Sequence, residues 1–418
     1  MKRPVSRLPN CREVAKPASG HSLQVLLGLI LSFWLVPTPP AGALGFRIPN
    51  QDAEAIARGN AFVATADDPA AIYYNPAGIT QLEGQHFQVG SLLYLGIYGD
   101  YQSPSGTSVK NNAQVIPAPT FYYTYSPEKG PLSFGFGAYM PFGLSVQWPN
   151  DSPFRTAGVK ASLTYITLNP VVAWKICQSV SIAAGPTFNY SKIDLVQGIF
   201  PNPNILPGDQ FEFSGDGWGY GFNAGLFWQP HPQWSFGASY RSASRMDYRG
   251  DATTKPLPLS SSVNTSSKVD FPQIVIGGIS YRPTTNWNVE VDVDWTDWDS
   301  VRQLQVQGFP SQILDWQSSL FYEVGVTRYF HQRYYLSAGY FFSGVTTSDQ
   351  HFTPLVPDTD LQVGSIGGGF KGKNWDWAMA VQIIAGDWRN VQNLQNPTVN
   401  GRYKLFTPTL SFSVGYHF

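Results

Sequence analysis

Catalysis needs side chains that move protons, hold metals or attack carbon, set at fixed spacing, and this chain of 418 residues offers few such groupings. Its six histidines, His21, His86, His231, His331, His351 and His417, form no metal-binding spacing. There is no Gly-x-Ser-x-Gly elbow for a serine nucleophile. The run Ser214-Gly215-Asp216-Gly217-Trp218-Gly219-Tyr220-Gly221 is rich in glycine but lacks the lysine of a phosphate loop, and reads as a loop entering a strand. What stands out is an acidic row. Asn288, Glu290, Asp292 and Asp294 alternate with Trp287, Val289, Val291, Val293 and Trp295. Along a strand, residues two apart share a face, so the carboxylates look one way and the apolar side chains the other. Three carboxylates on one face imply a wet or basic-lined surrounding. No catalytic residue, metal or cofactor is expected.

The elements that carry this pattern must solve an unusual solvent problem. Aromatic residues make up 15% of the chain and charged residues 13%, against an average of roughly 25% charged in soluble domains. A helical membrane protein would show runs of about 20 apolar residues. The sole candidate, Leu23 to Val36, is short and follows Lys2, Arg3, Arg7, Arg12 and Lys16. With small residues at Ala41 and Ala43 it reads as a secretory leader, residues 1–43, cut after Ala43. Cys177 is then the one cysteine left, and the remainder is more acidic than the whole chain's net charge of −1. No basic block points to nucleic acid.

A secreted chain without membrane helices can still cross a membrane as a closed barrel, which satisfies its backbone internally. From Trp287 to Trp295 the strand spans roughly 26 Å at about 3.3 Å per residue. That matches an apolar band about 25 Å tall with a tryptophan near each interface. Leu410, Phe412, Val414, Tyr416 and Phe418 form a second outward stripe, and Trp375, Trp377, Met379, Val381 and Ile383 a third. A soluble β-protein would bury such stripes between sheets and would not explain the tryptophan girdles. Short turns near 126–131, 175–179, 229–234, 282–287, 330–334 and 371–375 alternate with longer polar stretches. These stretches lie near 100–112, 143–160, 194–216, 249–269, 299–316, 346–361 and 388–403. The pattern predicts an all-β, antiparallel transmembrane barrel of about fourteen strands over residues 85–418.

Residues 44–84 read differently. Asp52 to Ala64 is Ala-rich and predicts a short helix, and Asp67-Asp68-Pro69 is placed to cap a second. Asn75-Pro76-Ala77-Gly78 reads as a turn. Ile72, Tyr73, Tyr74 and Ile79 want burial, so the segment is expected inside the lumen as a small helical hatch.

Short motifs, specific only when taken together and in order, run through nearly the whole mature chain. They include Gly45-Phe46-Arg47-Ile48-Pro49, Arg58-Gly59-Asn60-Ala61, Ala66-Asp67-Asp68 and Tyr74-Asn75-Pro76-Ala77-Gly78-Ile79. Met140-Pro141-Phe142-Gly143-Leu144, Ser239-Tyr240-Arg241-Ser242, Tyr281-Arg282-Pro283 and Asp292-Val293-Asp294-Trp295 follow, then Val356-Pro357-Asp358-Thr359-Asp360 and Gly401-Arg402-Tyr403. The chain resembles the FadL/TodX family of outer-membrane transporters. The resemblance implies a fourteen-stranded barrel with a hatch of which Asn75, Pro76 and Ala77 are the signature. Hydrophobic ligands would bind inside and leave sideways into outer-membrane lipid at an inward kink of the third strand. Gly135, Gly137 and Pro141 would mark that kink, and Asn75 with Asp358 or Asp360 the hatch-to-barrel contact. Lys192 takes the place of a family arginine that meets a ligand carboxylate. Gln317 stands where relatives often carry a lysine, which shifts the expected ligand from a fatty acid toward a neutral hydrocarbon or aromatic. The barrel is expected to act as a monomer. A diffusion porin for polar solutes and an outer-membrane lipase are the two other classes, distinguished by ion conductance and by phospholipid hydrolysis.

Overall fold

The computed structural model describes residues 45–206, 208–255, 260–306, 312–331 and 333–418. The expected leader, residues 1–43, lies outside the described residues. Fourteen antiparallel strands close into one ring. In chain order they are β1 Gly84–Tyr94, β2 Ile116–Ser126, and β3 Leu132–Tyr139 with its continuation Gly143–Gln147. Then come β4 Lys160–Lys175, β5 Val180–Gly198, β6 Gln210–His231, and β7 in two pieces, Trp234–Arg241 and Ser244–Lys255. The next are β8, again in two pieces, Ser261–Phe271 and Ile274–Thr284, and β9 Trp287–Thr296. The ring is completed by β10 Ser319–Phe330, β11 Tyr334–Ser343, β12 Leu361–Lys371, β13 Trp375–Gly386 and β14 Gly401–His417. Pairing of β14 with β1, from His86 opposite His417 to Tyr94 opposite Thr409, seals it. Closure removes the two terminal sheet edges that would otherwise meet lipid.

Alternation does what the sequence expects of it. On β9, Trp287 and Val293 are exposed, while Asn288, Glu290, Asp292 and Asp294 are buried. On β13 and β14, Trp375, Trp377, Met379, Val381, Phe412 and Val414 face outward and Ser411 and Ser413 inward. Among the described residues no helix is long and apolar enough to cross a membrane.

Two stretches differ from expectation. Residues 194–216 and 249–269 read as long loops, yet β5 runs to Gly198 and β6 starts at Gln210. Likewise β7 runs to Lys255 and β8 starts at Ser261. Outward charges there pair across neighbouring strands, Lys255 with Glu212 at 2.7 Å, and just beyond them Arg245 pairs with Asp270 at 2.6 Å. Polar composition suggested loop, but cross-strand charge pairs suit a ladder that continues into water.

Residues 45–83, ahead of β1, form an insert inside the ring. Helix α1 spans Ala53–Ala57, with Asp52 accepting from the Glu54 and Ala55 backbone N–H groups as its cap. Helix α2 spans Ala71–Tyr74 and has no side-chain cap, so Asp67 and Asp68 do not play that part. Asn75 instead caps the following 3-10 helix, Pro76–Gln81, by accepting from the Ala77 N–H. Nearly every residue from Phe46 to Thr80 is buried.

Candidate functional site

One stretch of the wall is not sealed. β3 pairs with β2 from Phe134 opposite Tyr125 to Ala138 opposite Phe121, and there the ladder stops. Beyond it, residues Ile116 to Thr120 of β2 pair with β1 alone. Gly143 to Gln147 of β3 pair with β4 alone. Higher up, the Asn112 N–H donates to the Gln147 carbonyl at 2.7 Å and closes the opening from above. The result is a window bounded by β2 and β3, not a slot running to the rim. Pro117 and Pro119 both lie on its β2 edge. Proline has no N–H to give a neighbour and is tolerated in sheets at such open edges.

The β3 backbone at the window finds its partners in the insert. The Ile48 N–H donates to the Pro141 carbonyl at 2.8 Å, and the Gly143 N–H to the Phe46 carbonyl at 2.8 Å. Arg47 and Phe142 form a β-bridge between them. The Gln51 amide donates to the Met140 carbonyl at 2.8 Å and accepts from the Met140 N–H at 3.1 Å. Residues 46–51 thus stand in for the missing length of β2.

A cavity of about 350 Å³ lies behind the window. It is lined from both edges, by Ile116 and Ala118 and by Met140, Leu144 and Val146, and from the insert by Ile48. The charged side chains at its wall are Arg47 and Asp358. Neither is idle. Arg47 reaches β9, donating to the two Asp294 oxygens at 2.7 and 2.5 Å and to the Thr296 hydroxyl at 2.7 Å. Asp358 accepts from the Thr346 and Thr347 N–H groups at 2.7 and 2.8 Å, with Arg389 3.6 Å away. Burial raises the Asp358 carboxyl above its ordinary range, against the pull of Arg389 and those two N–H groups.

The acidic row of β9 anchors the insert. Asp292 accepts from the Phe62 and Val63 N–H groups at 2.8 and 2.9 Å. Glu290 accepts from the Ala64 N–H at 2.7 Å and the Thr65 hydroxyl, and lies 3.3 Å from Arg58. Further round, Lys371 at the end of β12 sits 3.0 Å from Glu54.

A family model described as "Outer membrane protein transport protein (OMPP1/FadL/TodX)" matches residues 35–395. The chain belongs to the FadL family. It is a multi-pass barrel of the outer membrane. A long-chain fatty acid transport protein of Escherichia coli O6:H1 is 24% identical over 343 residues, covering 71% of this chain and 76% of the relative. A 47 kDa outer membrane protein of Pasteurella multocida is 23% identical over 382 residues, 82% and 87% of the two chains. A crystal structure of a Pseudomonas aeruginosa FadL homologue superposes with a TM-score of 0.78 at 17% identity, covering 90% of this chain and all of the other. The toluene transporter TodX of P. putida gives 0.69 at 16%, covering 88% and 98%. The last two show the fold.

Within this FadL-family barrel the residues picked out by sequence fall in different places. The Asn75 amide bonds the Leu226 carbonyl of β6 at 2.9 Å and the Val63 carbonyl at 2.8 Å, so it ties insert to wall. Pro76 and Ala77 open the 3-10 helix beside it. Gly135 and Gly137 sit where β3 is still paired on both sides, and a side chain on either would meet Ile72 at 2.9 Å. They make room for the insert, and the interruption begins three residues later, with Pro141 inside it. Asp358 and Asp360 hold their own loop, Asp360 through the Val345 N–H at 2.9 Å, and their bonds do not go to the insert. Lys192 is exposed on the outer face, 3.8 Å from Asp194, because it shares parity with Phe188 and Tyr190. Gln317 is exposed in a loop, its N–H bonded to the Thr346 carbonyl at 2.8 Å. Neither lines the cavity. Sequence reading missed Pro117, Pro119, Gln51 and the role of Arg47.

Proposed function

We propose that this chain admits hydrophobic molecules passively across the outer membrane, taking them into the cavity and releasing them sideways through the β2–β3 window into lipid. The observation that carries the reading is the coincidence of an apolar cavity with the stretch where β2 and β3 are unpaired and the insert takes over the β3 edge. An apolar ligand gains roughly 25 cal/mol per Å² by staying out of water. A sideways exit spares it the periplasm, whereas polar solutes gain nothing there. The named relatives, a fatty acid transport protein and a toluene transporter, support the class. We assign residues 1–43 as leader, 44–84 as hatch and 85–418 as barrel, with Asn75, Pro76 and Ala77 docking the hatch. The closed ring needs no partner subunit, and the chain is read as a monomer that performs no catalytic step.

Within that class the cavity favours a neutral ligand. Its cation, Arg47, is already forked onto Asp294, and Lys192 and Gln317 stand outside it. Cysteines at Thr120 and Met140, in a Cys177→Ser background, would be bridged by a short bis-thiol linker and the bridge verified by mass. Toluene uptake into proteoliposomes should fall at least tenfold and return on linker cleavage. Full uptake through the bridged protein would mean an axial path past the insert, and the lateral reading would be dropped. Binding of toluene but not laurate would support the neutral preference. The reverse would refute it.

A further inference from the structure

We propose that Arg47 is the positioning residue that keeps the β2–β3 window open, through its fork to Asp294. The proposal rests on the lateral reading above for its functional meaning, but its structural content stands apart. The β3 edge at residues 140–143 has two competing partners. One is β2, whose segment 116–119 would face that edge in the continued register and seal the wall in the ordinary way. The other is the insert segment 46–51, which holds that edge now through Ile48, Phe46 and Gln51. A single extended segment of a few residues does not hold its own place, because ordering its backbone costs conformational entropy at every residue. Something must fix it against the ring.

Arg47 is built for that. Its backbone bridges Phe142 at the window, while its side chain crosses the lumen to β9 on another flank. The guanidinium makes a two-pronged contact with Asp294, adds Thr296, and stacks over the Phe321 ring of β10 at 5.4 Å. Both charged side chains are 1% exposed, so water does not compete for either. A planar fork fixes angle as well as distance, which a lysine ammonium does not. Pro117 and Pro119 tilt the competition the same way, since β2 offers β3 two fewer N–H groups than a proline-free strand would. With the fork cut, segment 46–51 loses its reference to the wall, and the β3 edge is free to move toward β2.

The test separates window from transport. Spin labels at Val115 and Ser145, in a Cys177→Ser background, report the distance across the opening in detergent and in bilayers. Arg47→Met should shift the distribution toward the spacing of paired strands, about 4.8 Å between neighbours, while heat-modifiable gel mobility stays normal. The double exchange Arg47→Asp with Asp294→Arg should restore the open distance. Asp294→Asn, which keeps shape and removes charge, gives the same readout should Arg47→Met fail to fold. An unchanged distance in a folded variant overturns the proposal whatever happens to uptake. A narrowed window with full toluene uptake upholds the positioning role and instead defeats the lateral exit.

Discussion

The insert meets two unlike walls. Toward β8–β13 it is tied by direction: Arg47 to Asp294, Arg58 to Glu290, the Phe62 and Val63 N–H groups to Asp292, and Glu54 to Lys371. Toward β2–β6 its ties are neutral hydrogen bonds, such as Asn75 to the Leu226 carbonyl and Ile48 to Pro141, and it is pressed there with Ile72, Ala77 and Ile79 against Tyr122, Tyr139, Val171, Ala183 and Phe227. Directional bonds set where a body sits; packing sets only how closely. The insert is therefore registered on the polar wall and leans on the apolar one, and the window lies at the edge of the leaning side. An opening beside the anchored wall would have to break charge pairs. Beside the packed wall it needs only a strand that finds its hydrogen bonds elsewhere.

The contrast is most severely tested by removing its subject. Deleting residues 45–80 should leave a heat-modifiable ring with a raised conductance in planar bilayers and no selective toluene uptake. Unaltered uptake would take the insert out of the path. Next, Glu290→Gln breaks a buried pair and should loosen the anchored side by about 3–5 kcal/mol, read as lost amide-exchange protection at residues 58–66. Protection at those amides equal to the parent would mean that the polar wall does not hold the insert. Ile72→Ala leaves a void on the packed side and should cost about 2–4 kcal/mol. Here the loss should appear at residues 70–79 and spare 46–51; equal loss at both would erase the difference between the walls. Asp358→Asn should cost about 1 kcal/mol, felt as proteolysis within residues 345–350, with the insert unaffected. At the bottom of the scale, Lys192→Ala should change neither laurate nor toluene uptake, and a clear loss of laurate uptake alone would return that lysine to the ligand path.

How much of this could be read from the chain varies with the range of the interaction. The period of two on β9 gave both its lipid face and its inward carboxylates, because alternation is local. It could not say that Asp294 waits for Arg47, 247 positions away, since pairing across a lumen leaves no local trace. Lys192 was legible and misplaced: Phe188, Tyr190 and Lys192 share one face of a strand, and two aromatics there already point to the outside. Pro117 and Pro119 carried an open-edge signal that two prolines in one strand always carry. Residues 194–216 and 249–269 failed for a different reason, because a strand that rises out of lipid takes on the composition of a loop.

The seam between β1 and β14 bears on how such a molecule is made. Among the described residues, the stretch that fills the ring lies directly before β1, and the ring is sealed by pairing β1 with β14. A ring closed early would force residues 45–83 to thread back through a finished mouth and bury Arg47, Arg58 and Glu290 one after another against walls already in place. Gathering the strands around the insert instead lets each charge meet its partner while water still reaches both. The place of the insert directly before β1 thus favours a vessel assembled around its stopper, one whose interior is occupied from the moment it becomes an interior.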